Sequence, residues 1–256
     1  MKEITSLANP LVKQWRQMQT PSGRKAHGLF LAEGEHLCRE AVREGACQTL
    51  LVTKEGLDAY REWLPVEDSI ILVSRQVLSA LADSKTPQGC IAVCELPESP
   101  PLQNAGNRLM ALNRLQDPGN VGTILRTLDA ADFDGLVLDF GCADPFSPKA
   151  ARASMGAVFR LPVYQVEDLH TAFDALPKHK LVAGDLFGGP YYGHPPFGEA
   201  FILLVGNEGA GLEDSVKQRA DFRLKLPIPG KAESLNAAVA AGLMVYDIIR
   251  LDEQMA

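Results

Sequence analysis

Residues 108–131 read RLMALNRLQDPGNVGTILRTLDAA, and this stretch decides the fold. Its apolar opening reads as a buried strand, and Asp117-Pro118-Gly119 turns the chain. Beyond the turn Ile124, Leu128 and Ala131 recur at helical spacing, joined by Leu125. Asn120 is the expected N-cap, where its side-chain oxygen satisfies a free helix N–H. A strand, a tight turn and a helix in so short a span are the unit of an α/β layer. Arg126 falls roughly 200° around the helix from Ile124 and Leu128, so it points away from the core stripe. An arginine one turn into a helix, beside a glycine turn, suits an anionic ligand. Geometry alone favours the plainer reading, a strand–turn–helix with a surface arginine.

The same alternation continues on both sides. Downstream, GLVLDF (135–140), KLVAGDLF (180–187) and AFILLVG (200–206) read as strands. EDLHTAFDAL (167–176) reads as a helix, SPKAARASMGAVF (147–159) as a helix interrupted by a turn, and a long helix runs from about Ser234 to Asp252. Upstream, LPESPPLQNAGN (96–107) has three prolines and no periodicity, which makes it a linker. Before it, a helix starts with Asn9 as N-cap and Pro10 at its first position. Strands GLFLAE (28–33), QTLLVT (48–53), SIILVS (69–74) and GCIAVCEL (89–96) then alternate with helical stretches. The expected organisation is an α/β domain over 1–97, a linker over 98–107 and a second α/β domain over 108–256.

Composition narrows the class. Hydrophobic residues make up 46% of 256 residues, enough for a real core, and no apolar run is long enough to span a membrane. No secretory h-region opens the chain, and an odd count of five cysteines fits a reducing cytosol. Cys90 and Cys94 share one strand face and are expected as buried core thiols. The histidines at 27, 36, 170, 179 and 194 have no ligand spacing, so no metal is expected. A net charge of −7 argues against a broad nucleic-acid binder, yet residues 1–30 carry Lys2, Lys13, Arg16, Arg24 and Lys25 against Glu3 alone. That excess is as compatible with a solvated arm as with an RNA contact.

Two further constellations carry chemistry. FILLVGNEGAGLED (201–214) is a buried strand running into a loop with glycines at 206, 209 and 211, whose backbone can approach a ligand closely. It is neither the dinucleotide fingerprint nor a Walker loop. Glu208 there reads as a cap or as a polar contact. LKLPIPGKAESLNAAVAAGLMVYDIIR (224–250) breaks at two prolines and Gly230 before a helix. Ser234 is the expected N-cap, and Asn236 is expected inside a helix apolar all round, where it needs a partner in the loop or in a ligand.

In this order DPGNVGTILRT (117–127), LLVGNEGAGL (203–212) and LPIPGKAESLNAAVAAG (226–242) closely resemble the three motifs of the SpoU, or TrmH-like, branch of the SPOUT RNA methyltransferases. DPFSPKAARASMGAVFRLPV (144–163) is also similar to that family. ITSLANPLVKQW (4–15) and FLAEGEHLCREA (30–41) more weakly resemble its N-terminal substrate-binding domain, which is like ribosomal protein L30e. The resemblance implies a trefoil-knotted α/β methyltransferase domain, a homodimer with the active site near its interface, and a cytoplasmic enzyme. It implies S-adenosylmethionine lined by Gly206, Leu226 and Leu235, with Asn120, Arg126, Glu208, Ser234 and Asn236 at catalytic-site positions. Arg16, Arg24 and Lys25 are the expected contacts to structured RNA, ribosomal rather than transfer RNA. One departure is Ala238, where many relatives have Ser. The competing classes are a catalytically silent RNA-binding protein, which would not bind S-adenosylmethionine, and a Rossmann-type enzyme, whose glycine turn and acidic ribose ligand are not arranged here.

Overall fold

Alternating apolar and turn segments fold, in the computed structural model, into two α/β units; the structure describes residues 1–193 and 197–255. The elements of the first stretch are β1 (Lys2–Ile4), α1 (Pro10–Gln17), α2 (Pro21–His27), β2 (Leu29–Glu33), α3 (Glu35–Arg43), β3 (Cys47–Val52), α4 (Lys54–Ala59), β4 (Ile70–Val73), α5 (Arg75–Leu81) and β5 (Cys90–Glu95). Then follow β6 (Arg108–Leu112), α6 (Pro118–Ala130), β7 (Gly135–Leu138), α7 (Pro148–Ala153), β8 (Val163–Gln165), α8 (Leu169–Ala175), β9 (Lys180–Pro190), β10 (Phe201–Val205), α9 (Asp214–Arg219), β11 (Phe222–Lys225) and α10 (Ala237–Met255).

The first unit comprises Met1–Glu98 with Asp144–Arg160. Its sheet has the order β1-β4-β3-β5-β2, with β5 antiparallel to both neighbours. Strand alternation sorts side chains onto two faces: Phe30, Ala32, Cys90, Ala92 and Cys94 line one, Leu31, Ile91 and Val93 the other. Cys90 and Cys94 are thus core thiols, and burial pushes the Cys94 thiol well up. As the sequence indicated, Asn9 caps α1, its Oδ1 accepting the Leu11 N–H at 2.9 Å.

Residues 144–160, expected to fold with the second half, pack in the first unit instead. Phe146, Ala151 and Val158 fill the cluster around Phe30 and Cys90. Ion pairs add to this packing, including Arg160 to Glu40 at 2.6 Å. Left-handed Met155 and Gly156 separate α7 from the following turn, the interruption expected there.

The same packing corrects one site assignment. Arg24 is only 2% exposed; its Nε donates to Asp144 Oδ2 at 2.9 Å and its Nη1 to the Met18 carbonyl at 2.7 Å. An arginine so buried and paired tethers residue 144 and is not offered to RNA. Arg16 and Lys25 are exposed and have no partner among the described residues.

The second unit comprises Ser99–Ala143 and residues from Leu161 onward. Its six strands run parallel in the order β11-β9-β10-β6-β7-β8. Every residue of FILLV in β10 is buried, as a central parallel strand requires. Val205 pairs Leu112, and Leu112 pairs Leu138, so β10, β6 and β7 end in register. Gly206, Asn113 and Asp139 therefore begin three neighbouring loops at one end of the sheet, where α/β sheets place their ligands.

Candidate active site

The β6–α6 loop sits between the other two loops because β6 sits between β10 and β7. Buried Asn113 ties them together. Its Nδ2 donates to Asp139 Oδ2 at 2.6 Å and to Glu213 Oε2 at 3.2 Å, and its Oδ1 accepts the Glu213 N–H at 2.8 Å. Arg114 follows in the left-handed region, φ 54°, an uncommon conformation for a residue with a Cβ. Its N–H is held by Asp139 Oδ1 at 2.8 Å, and its carbonyl accepts from Asn207 Nδ2 at 2.9 Å. Sequence reading passed over this network, because its members lie 25 or more residues apart along the chain.

The N-cap of α6 is Asp117, whose Oδ1 accepts the Gly119 N–H, and not Asn120. Pro118 takes the first helical position, so the cap must precede it. Asn120 is thereby freed to bridge. Its Nδ2 donates to Glu208 Oε1 at 3.1 Å, and its Oδ1 accepts from Asn236 Nδ2 at 3.0 Å. Asn236 lies before α10, not inside it, and caps it: its Oδ1 accepts the N–H groups of Ala238 and Val239 at 3.0 and 3.2 Å. Ser234, the expected cap, is exposed two residues upstream. Glu208, Asn120 and Asn236 form one hydrogen-bonded chain joining the three motif segments.

Glu208 also accepts the N–H groups of Asp117 and Gln116 at 3.0 and 3.3 Å. Partial burial pushes its carboxyl up, but the Asp117 N–H, its own N–H, the Asn120 amide and the Gln116 N–H outweigh that, and the net shift is downward. Arg126 is exposed on α6 and has no hydrogen-bond or ion-pair partner among the described residues.

Beside this chain is a cavity of about 250 Å³ lined by Gly206, Leu226, Leu235, Ser234 and Glu208 among others. The three expected cofactor residues thus share one wall. A Cβ on Gly206 would overlap the Gly211 and Leu212 backbone, because Asn207 and Gly211 exchange N–H···O bonds of 3.0 and 2.9 Å that fold the loop back. Glycine is required there by the loop itself, in addition to any ligand. Asp185 also lines the cavity; its carboxylate accepts from Arg223 Nε at 2.6 Å. Its only sequence signal was its place in an apolar strand. Leucine walls suit an adenosine-like body, and Glu208 and Glu233 add acidic residues to the lining, whereas the Asp185 charge is already paired with Arg223. Among the described residues no group of His, Cys, Asp and Glu could hold a metal ion, and no helix is long and apolar enough to cross a membrane.

Residues 107–246 match the SpoU rRNA Methylase family, and residues 9–92 match the MRM3-like substrate binding domain. The chain is 38% identical over 260 residues to the 23S rRNA (guanosine(2553)-2′-O)-methyltransferase RlmP of Bacillus subtilis, covering 97% of this chain and 99% of that one. It is 30% identical over 268 residues to the 23S rRNA (uridine(2479)-2′-O)-methyltransferase of Streptomyces viridochromogenes, covering 97% and 92%. The crystal structure of an AdoMet-bound rRNA methyltransferase from Sinorhizobium meliloti superposes with a TM-score of 0.85 at 32% identity, covering 98% of each chain.

Proposed function

The chain belongs to the SpoU rRNA methylase family, and from that premise we propose that it methylates a ribose 2′-hydroxyl of 23S ribosomal RNA with S-adenosylmethionine. The observation that carries this reading is the Glu208–Asn120–Asn236 chain, which locks three loops against a cavity whose leucine and carboxylate lining fits the cofactor. When bound, S-adenosylmethionine supplies an electrophilic methyl group. Gly206, Leu226 and Leu235 would hold it, and the acidic Glu208 and Glu233 on the lining would favour its positive charge. Ser234, at the rim, faces the incoming ribose. Arg126, uncommitted within the chain, takes the neighbouring RNA phosphate and opposes the negative charge that develops on the 2′-oxygen. Arg16 and Lys25 add contacts to structured RNA, which is read largely by shape and phosphate.

Val239, Leu243 and Tyr246 recur at helical spacing on α10 and are 52%, 39% and 52% exposed. This stripe adjoins Asn120 and Asn236 and is the natural interface of a homodimer. The cytoplasm is the location this reading favours for an enzyme acting on ribosomal RNA. Calorimetry with S-adenosylmethionine, then mapping of 2′-O-methylation on a 23S rRNA transcript and on bulk tRNA, tests the whole reading. Absence of cofactor binding makes the chain a silent RNA binder, and methylation confined to tRNA moves the substrate.

A further inference from the structure

Phe140, in the loop leaving β7, is 82% exposed. A single exposed apolar side chain needs no explanation by itself; what distinguishes Phe140 is its seat. On one side Asp139, itself only 8% exposed, is clamped by Asn113 Nδ2 and the Arg114 N–H at 2.6 and 2.8 Å. On the other, Cys142 N–H returns to the Asp139 carbonyl at 3.2 Å, Cys142 Sγ donates to the Leu112 carbonyl at 3.2 Å, and Ala143 N–H donates to the Leu115 carbonyl at 2.8 Å. Gly141, at φ 106°, closes the turn, and a Cβ added there would rest at van der Waals distance from the Arg114 stem. An exposed aromatic ring thus projects from a turn whose backbone is tied down on both sides.

This anchorage is built from the β6–α6 loop, which leads into the first turn of α6 with Asn120. Arg114 is the shared part: its N–H fixes Asp139, its carbonyl fixes Asn207 beside Glu208, and its guanidinium, 59% exposed, pairs with Glu213 at 3.0 Å. A left-handed backbone at a residue with a Cβ is strain that the surrounding bonds must hold in place, and such strain concentrates at functional positions. Unpaired RNA bases stack on exposed aromatic rings and on guanidinium planes.

We propose that the Phe140 ring is a stacking platform for an unpaired RNA base next to the methylated nucleotide. The proposal rests on the reading of the chain as an RNA methyltransferase. It explains why an apolar ring is presented from a well-bonded backbone one strand away from the β6–α6 loop. Such a platform holds a neighbouring base out of its helix, so that the target ribose can enter the loop cluster.

The full chain and its F140A, F140L and F140W variants are titrated, without cofactor, with a deproteinised 23S rRNA transcript. A stacked base contributes about 1–3 kcal/mol, so F140A should bind roughly 5- to 150-fold more weakly. F140L, apolar but not aromatic, should stay weak. F140W should restore affinity, and its added fluorescence should be quenched by the RNA. Melting temperature, S-adenosylmethionine affinity and sedimentation coefficient should be those of the unaltered chain. Equal RNA affinity in F140A and the unaltered chain overturns the proposal, as does no binding by either. A changed sedimentation coefficient in F140A overturns it too, by assigning the ring to a second copy of the chain. Cofactor-free RNA affinity is independent of methyl transfer, so failure of the enzymatic reading would show separately, as an unaltered chain that binds RNA and transfers nothing.

Discussion

Replacing Asn120 by Asp changes one amide group to oxygen at the centre of the loop cluster. Asn120 Nδ2 lies 3.1 Å from Glu208 Oε1, and Glu208 is held ionised by its four N–H donors. The variant places two carboxylate oxygens at that separation. Their repulsion is about 1.3 kcal/mol in water-like surroundings and about 5 kcal/mol at an effective dielectric near 20. Glu208 is exposed and Asn120 half-buried, which favours the lower part of that range. Loss of the charge-assisted hydrogen bond adds about 1.5–3 kcal/mol. The total, about 3 kcal/mol, corresponds to roughly a hundredfold loss of turnover if the loop geometry is needed for it. Asn120→Ala avoids the repulsion and leaves Glu208 its backbone donors, but it loses the acceptor for Asn236 as well as the bond to Glu208, so it should cost a similar amount, about 2–4 kcal/mol.

The pH dependence separates the two variants. In Asn120→Asp the paired carboxyls take up their first proton above the ordinary carboxylate range, because like charges resist joint ionisation. A carboxyl whose folded-state pKa is raised gives stability that is present at low pH and lost as pH rises through the raised value. The penalty should therefore be full at pH 8 and shrink toward pH 5, where a shared proton bridges the oxygens. In the unaltered chain Glu208 has the opposite sign: its stabilisation is present above the ordinary carboxylate range and is lost only as pH falls through its lowered pKa. Melting curves and single-turnover methyl transfer across this range are the assay. If the deficit of Asn120→Asp does not shrink from pH 8 to pH 5 while that of Asn120→Ala stays flat, the Glu208–Asn120 bond does not organise the site.

Arg24→Ala should cost about 3–5 kcal/mol, because it strands Asp144 and the Met18 carbonyl, and should lower the melting temperature by about 10 °C while leaving the salt dependence of RNA binding unchanged. Neutralising Arg16 and Lys25 together should do the reverse, flattening the salt slope of RNA affinity by up to about two and leaving melting unchanged. Arg126→Ala should lose about 10²–10³ in single-turnover rate with an unchanged melting temperature, and Lys should recover little if a planar fork on phosphate is required. Leu243→Glu, placed in the exposed stripe of α10, should shift sedimentation equilibrium toward monomer.

Much of this architecture was legible because local rules and tertiary packing agree in it. FILLV and GLVL read as apolar strands, and each is buried throughout. The capping of α1 by Asn9 was read from the Asn-Pro pair, and the same rule applied to Asp117-Pro118 identifies the true cap of α6. Choosing Asn120 instead followed the onset of apolar periodicity, which begins a turn late because α6 opens with Pro-Gly-Asn. Ser234 was preferred to Asn236 for a related reason: both are good caps, and only the loop bond to Asn120 decides between them. Local patterns could not reveal the burial of Arg24, since its partner lies 120 residues away. Nor could they show that β9, read as ending at Phe187, continues through Gly188 and Gly189 to Pro190, opposite a register shift in β11.

The site so assembled positions groups more than it exchanges protons. The carboxyl in its centre, Glu208, is held below the usual range, which makes it a weak base at neutral pH. Asn120 and Asn236 carry amides that do not titrate, and a guanidinium such as that of Arg126 keeps its proton in proteins. Ser234 has no hydrogen-bond partner among the described residues that would activate its hydroxyl. Among the described residues no histidine lines either the cavity or the Asn120–Asn236 face. What remains is a hydrogen-bonded set of dipoles beside the cavity, with Arg126 exposed on α6 and unpaired among the described residues. Orientation of that kind accounts for large accelerations when an attacking oxygen must meet a methyl group in line, with effective concentrations on the order of 10⁵–10⁸ M. On this reading the proton of the 2′-hydroxyl leaves to water or to the RNA itself, and the chain's contribution is to hold the ribose where that loss coincides with attack.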